Sequence, residues 1–223
     1  MKSTVAALRL FRVTLALMLS LFIGTANAAE FWQSEWQPPA GFSGEHYEFA
    51  PLREENAKQF FGAYESNPEA LRNRLGWGWP PVIPDEDQNA ELVRFHQNQH
   101  DAENAFTYLI ASRDRRDVKR LVGAVYLVPV LRERQGVPGL MASQFQAELS
   151  WWLTDAAREQ AHYEHFLTGL FAWLQQESPW QSLLIPVSRA NTPALLALEN
   201  AGFSPIATDN DENIAFYELR LGN

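Results

Sequence analysis

The chain has 223 residues, 46% of them hydrophobic and 20% charged, the proportions of one ordinary globular domain rather than a repeat array or a disordered tail. Its 18 basic residues against 27 acidic ones leave a net charge of −9, which repels phosphate backbones and disfavours nucleic-acid binding through a basic patch. The absence of cysteine excludes disulfides, thiolate nucleophiles, cysteine-ligated zinc and lipid attachment through cysteine.

The first element in chain order is an address. Lys2, Arg9 and Arg12 precede an apolar run from Val13 to Gly24, and Ala26-Asn27-Ala28 fits the small-x-small cleavage pattern of a secretory signal. This predicts a signal peptide over residues 1–28, cut before Ala29, and export, to the periplasm if the source is a Gram-negative cell. An apolar run of about 12 residues falls short of the roughly 20 that a spanning helix needs, so no stable membrane insertion is expected after processing. Without the leader the net charge becomes −12.

Residues 29–46, rich in Trp, Pro and Gly, read as an extended arm lying on a domain that fills residues 47–223. The domain opens with a short strand, Tyr47 to Leu52, and a helix, Glu54 to Ser66. The run Leu75-Gly76-Trp77-Gly78-Trp79-Pro80-Pro81 cannot continue a helix and is expected as a loop carrying two indoles. A polar helix, Asn89 to Asn104, follows. The β-branched and aromatic runs Ala105 to Ser112 and Leu121 to Leu131 then predict a hairpin with a solvated charged turn. A third strand, Phe145 to Leu153, leads to a helix on which Tyr163, Phe166, Leu167, Leu170, Phe171 and Leu174 recur at three- and four-residue steps. Next come a strand, Ser182 to Val187, and a helix with Asn191-Thr192-Pro193 at its start and Gly202 past its end. Strands near Phe203 to Ala207 and Ile214 to Leu221 finish the chain. The fold class expected is α/β (α+β), with a mixed, mostly antiparallel central sheet flanked by helices.

This order resembles the GCN5-related N-acetyltransferase (GNAT) superfamily over roughly Tyr47 to Leu221. Asn191 to Phe203 is similar to the family's N-x-x-A-x-x-x-x-x-x-x-G-F segment, and Ala147-Glu148-Leu149-Ser150-Trp151-Trp152-Leu153 is similar to the strand that carries a carboxylate beside the acceptor amine. The resemblance implies acyl transfer from acetyl-CoA to a small-molecule or peptide amine, with Glu148 as base and with Leu153, Arg158, Ala161 and Asn191 binding the coenzyme.

Read on their own, several of these residues admit other roles. Glu148 shares a strand face with Trp152 and is either a part-buried base with a raised pKa or a surface acid. Asn191 is placed to cap a helix as readily as to hold a ligand. The segment Arg158-Glu159-Gln160-Ala161-His162-Tyr163 stands where the family has R/Q-x-x-G-x-G/A, with Tyr163 in place of a small residue. Asp155, Glu159 and Glu164 make that stretch acidic, and the tyrosine that often serves the family as general acid is replaced by Leu198. Trp77, Trp79 and Trp152 are candidates for the acceptor side. Trp151 and Trp152 face opposite ways along a strand, one of them into the core.

The pairs His96/His100 and His162/His165 have helical spacing for metal ligands, but they are assigned as polar surface residues and no metal is expected. No nucleophile elbow or phosphate-binding P-loop occurs. The expected function is N-acyl transfer; the alternative is a GNAT-fold binding module that has lost catalysis.

Overall fold

Seven consecutive residues, Ala147–Leu153, are all buried, which requires a central strand covered on both faces. The computed structural model describes residues 31–33, 35–65, 85–113, 118–158 and 160–222 and places that strand in the middle of an eight-stranded sheet. The strands are β1 (Phe42–Ser43), β2 (Tyr47–Pro51), β3 (Phe106–Arg113), β4 (Lys119–Val128), β5 (Ala147–Leu153), β6 (Ser182–Ser188), β7 (Ala207–Asp209) and β8 (Ile214–Arg220). Their spatial order is β1-β2-β3-β4-β5-β6-β8-β7. Every pairing is antiparallel except β5 with β6.

Among the described residues four helices cover the sheet: α1 (Ala57–Glu65), α2 (Glu86–Asp101), α3 (Gln160–Glu177) and α4 (Thr192–Asn200). α3 and α4 pack on one face, where Phe166, Leu170, Trp173 and Leu198 meet Phe49, Tyr108, Val125, Trp151 and Leu153. On the other face Phe60 and Tyr64 of α1 and Val93 of α2 meet Leu52, Leu109, Ala124, Tyr126 and Trp152. The connection between β4 and β5, with short 3-10 turns at Arg132–Gly136 and Ala142–Gln144, completes that second face by packing Val137, Leu140 and Phe145 on Leu184 and Phe216.

From Tyr47 onward the expected order of elements is the observed one, with informative shifts at the ends; the two-residue strand β1, paired with β2 inside the expected arm, is an addition. α2 begins before Asn89, because Asp85 accepts a hydrogen bond from the Gln88 amide at 2.8 Å and the acids Glu86 and Asp87 occupy the positive first turn. β4 stops at Val128, ahead of Pro129, which has no amide to donate. Gly202 takes φ +84°, and Phe203 turns its ring onto Phe171 with centroids 5.3 Å apart, so the edge strand starts only at Ala207.

Residues 31, 32 and 39 touch the sheet and the segment before β6. The Trp180 indole donates to the Phe31 carbonyl at 2.7 Å and the Tyr108 hydroxyl to the Pro39 carbonyl at 2.7 Å, while Trp32 packs edge-on against Phe106 and Trp180. The flanks of the charged hairpin are less solvated than expected. Arg113 and Lys119 both reach Glu48 of β2, at 3.0 and 2.7 Å, and Lys119 above all holds the Glu48 carboxyl below its ordinary pKa. Residues 1–28 and the turn at 114–117 lie outside the described residues.

Candidate active site

β5 pairs with its parallel neighbour at two positions only, Ala147↔Leu183 and Glu148↔Leu184, whereas it stays paired to β4 up to Gly123↔Leu153. The sheet therefore opens between β5 and β6 beyond Glu148. The Thr154 amide donates to the Val122 carbonyl at 2.7 Å, and amides alternate along an antiparallel strand, so the N–H groups of Trp151 and Leu153 face away from β4, into the opening. A 3-10 turn, Asp155–Ala157, then leads into α3, whose 18 residues direct a set of unpaired amides and the positive end of a helix dipole toward the same mouth.

Gly123 makes this curvature possible. The β3–β4 register slips between Ile110 and Ala111, a bulge that increases local twist, and a Cβ on Gly123 would overlap the Trp152 carbonyl.

Beyond β6, at the start of α4, Asn191 is 9% exposed. Its main-chain carbonyl accepts from the Ala194 and Leu195 amides at 3.0 and 3.1 Å, but its side chain makes no capping bond and Oδ1 has no hydrogen-bond partner. The capping role read from the sequence is thus filled by the backbone, leaving a buried acceptor without a donor. Such a group costs free energy unless something binds it.

The remaining sequence candidates fall into three groups. Leu153 is in the core at the end of β5. Arg158, at the mouth, forms an ion pair with Asp155. Ala161 lies in the first turn of α3. Trp77 and Trp79 lie outside the described residues. Tyr163 does not project into the turn: it is 1% exposed, accepts a hydrogen bond from the Trp151 indole at 2.7 Å and meets Phe166 edge-on, so its bulk goes into the core. Leu198, at the position where the family has its tyrosine, is also core.

Trp151 and Trp152 do point to opposite faces, yet both are core residues; periodicity alone does not show that helices cover both sides of β5. Trp152 packs edge-on with Phe60 and donates to the Tyr126 hydroxyl at 3.0 Å.

Glu148 is not a surface acid. It is 2% exposed, and its Oε1 accepts from the Leu131 amide at 2.9 Å and from Arg134 Nε at 3.0 Å, with Arg134 Nη2 3.4 Å from Oε2. Burial pushes its pKa upward, and the Arg134 charge opposes that rise. Arg134 in turn lies 5.3 Å from the Phe216 ring centroid. No sequence signal announced this partner, which sits in an irregular turn 14 residues away.

His96 and His100 are not surface residues either. His100 is buried against the Phe106 and Tyr108 rings, and its Nδ1 has no partner. His96 is half-buried but crowded by protein, with Nδ1 3.0 Å from Thr107 Oγ1. Burial brings both imidazoles down to about 4. Asn89, Val93, His96 and His100 recur at helical spacing, and that stripe was the sequence signal for an inward face. Among the described residues no cluster of three or more metal-ligating side chains occurs, and no helix is long and apolar enough to cross a membrane.

Several solved acetyltransferases share this fold. The ribosomal L7/L12 α-N-protein acetyltransferase RimL in complex with coenzyme A is 13% identical, with TM-score 0.61, over 79% of this chain and 95% of that one. The ribosomal-protein-S5-alanine acetyltransferase from Vibrio fischeri is 12% identical, with TM-score 0.59, over 81% and 96%. The microcin C7 self-immunity acetyltransferase MccE, in complex with acetyl-CoA and AMP, is 10% identical, with TM-score 0.62, over 82% and 97%. At these identities the likeness is one of fold. Comparison with the curated proteins finds no match. The acetyltransferase (GNAT) domain family matches residues 47–204, well over half of the sequence and all the elements that build the opening, and the chain belongs to that family.

Proposed function

We propose that the protein moves an acyl group from acyl-coenzyme A, with acetyl-CoA as the first candidate, to the amine of a peptide or small molecule. The opening of β5 from β6 carries this reading. It presents the N–H groups of Trp151 and Leu153 and the N-terminus of α3 to one space, and the unpartnered Asn191 Oδ1 lies at the start of the helix that follows β6. Main-chain donors placed so can stabilise the oxyanion that forms when an amine attacks a thioester, and a helix N-terminus suits a pyrophosphate. Arg158 is the cation at the mouth, and a diphosphate there would compete with Asp155 for it. The acetyltransferases compared above include complexes with coenzyme A and acetyl-CoA, and the ribosomal-protein acetyltransferases among them name protein acceptors.

Export to the periplasm is part of the proposal and rests on the N-terminal pattern of Lys2 to Ala28. It requires an acyl donor to be available outside the cytoplasm. The Arg158–Asp155 pair and Leu198 in the tyrosine position favour a second reading, in which the fold is kept as a binding module. Calorimetric titration of the purified protein with acetyl-CoA separates the two. Acyl transfer predicts saturable binding, weakened by Arg158→Glu. Absence of heat with every acyl-coenzyme A tested leaves the binding module. N-terminal sequencing of the secreted or periplasmic fraction should begin at Ala29; a chain retaining Met1 in the cytoplasm would refute export.

A further inference from the structure

Two imidazoles from distant parts of the chain meet at the surface. The ring centroids of His46 and His165 are 5.0 Å apart, their planes tilted by 45°. The sequence pairs His165 with His162; the fold gives it a neighbour on another element. His46 sits in the turn between β1 and β2, where the Gly44 amide donates to the Tyr47 carbonyl at 2.8 Å, and its own carbonyl accepts from the Arg113 amide at 3.0 Å. His165 lies on α3. The residues that follow the two histidines, Tyr47 and Phe166, are both buried and pack edge-on with centroids 5.7 Å apart. One turn further along α3, a Cβ on Gly169 would stand 3.8 Å from Cε1 of Phe42 on β1. The β1–β2 hairpin is therefore seated along α3 by apolar packing, which holds the two rings together from behind.

Nothing in the protein uses the pair. Among the described residues neither ring makes a hydrogen bond to another residue, and a 45° tilt is neither stacked nor edge-on. The His46 side chain is 52% exposed and His165 is exposed, so ions in solution reach both. The Glu45 carboxylate, itself almost wholly in solvent, comes within 3.9 Å of His46 Nε2, too far for a hydrogen bond.

We propose that His46 and His165 share one divalent transition-metal ion of the kind imidazole favours, with zinc as the probe. Two imidazoles bound to one zinc through nitrogens about 2.0–2.1 Å from the metal, at a near-tetrahedral angle, have centroids about 5 Å apart. The fold already sets that separation. Two preset ligands are fewer than the clusters of three absent from the described residues, and the site is correspondingly open: water and Glu45, after rotation of its side chain, complete the coordination. A bound ion clips the β1–β2 turn to α3 and stabilises the folded state by mass action. The site stands apart from the acyl-transfer reading and does not depend on it.

The test titrates the purified protein, carrying no affinity tag and freed of metal by a chelator, with zinc chloride in a calorimeter. One equivalent should bind saturably, and the melting midpoint should rise with zinc concentration. His46→Gln and His165→Gln should each weaken binding by about tenfold or more, since even loss of a hydrogen-bond partner behind a metal ligand costs about 10–100-fold. Each should also abolish the zinc-dependent rise in midpoint. Both side chains are at the surface, so without zinc the variants should melt with the parent. In proton NMR, zinc should shift the ring signals that are missing from these two variants. Absence of binding, several weak equivalents unaffected by either substitution, which would mark an adventitious ion only, or a loss with one variant and not the other overturns the proposal.

Discussion

Arg134 and Glu148 face one another inside the protein, Nε to Oε1 at 3.0 Å, with both side chains almost wholly removed from solvent. The pair fastens the β4–β5 connection to the half of β5 that is still joined to β6. Removing the cation leaves a buried carboxylate held only by the Leu131 amide, and such orphaned charges destabilise by about 3–5 kcal/mol. Arg134→Met should therefore lower stability by that order at neutral pH in urea melts. The sign with pH follows from burial: the native Glu148 pKa, already raised, rises further once Arg134 is gone, so the native state binds the proton more tightly than the unfolded chain. Variant stability should be greatest in acid and fall as pH climbs from the unfolded value, about 4.3. A variant as stable as the parent at pH 7 would show that the pair contributes nothing.

Asn191 gives an unusual expectation for a residue at a helix start. A capping asparagine replaced by alanine normally costs about 0.5–2 kcal/mol, but here the side chain makes no cap bond. Asn191→Ala should leave the thermal midpoint nearly unchanged and weaken acetyl-CoA binding by about tenfold, the worth of one hydrogen bond to a ligand. A marked loss of stability with unchanged affinity would return the residue to a structural role.

The bulge beside Gly123 admits no side chain. Gly123→Ala would drive a methyl into the Trp152 carbonyl, side chain against unyielding main chain, and overpacking of this kind costs about 1–3 kcal/mol or more. The β4–β5 pairing should shift, and hydrogen exchange at Trp152 and Thr154, whose amides face β4, should accelerate. Wild-type protection in the variant would count against the close approach.

Both histidines of the inward stripe are held near 4, below the unfolded value of about 6.5. The unfolded chain thus binds more protons between these limits, and stability is present above pH 6.5 and lost as pH falls toward 4. Melting midpoints should drop across that window. His100→Phe, which keeps a ring against Phe106 and Tyr108, should flatten the dependence. An unaltered slope would place the titration elsewhere.

The sheet and helix order were readable because each element carries its own period: Tyr163 to Leu174 at helical steps, Phe106 to Ser112 as an apolar β run. The strand opening was not readable, since nothing in Leu149-Ser150-Trp151-Trp152 says where its parallel partner departs. What stayed hidden was long-range. Arg134 has no local pattern that points to Glu148, and Tyr163 looked obstructive because its hydrogen-bond partner, Trp151, lies across a layer boundary. The indoles of β5 looked half-exposed because alternation describes one covered face, and here two are covered.

The tie between the Trp180 indole and the Phe31 carbonyl spans 149 positions of sequence. A ribosome makes the arm first and its anchor last, so the core around Trp32 cannot close until four-fifths of the polypeptide has emerged. Closing so distant a loop slows folding. A tag or fusion placed close to Phe31 would therefore press on a seam that can close only after Trp180 has been made.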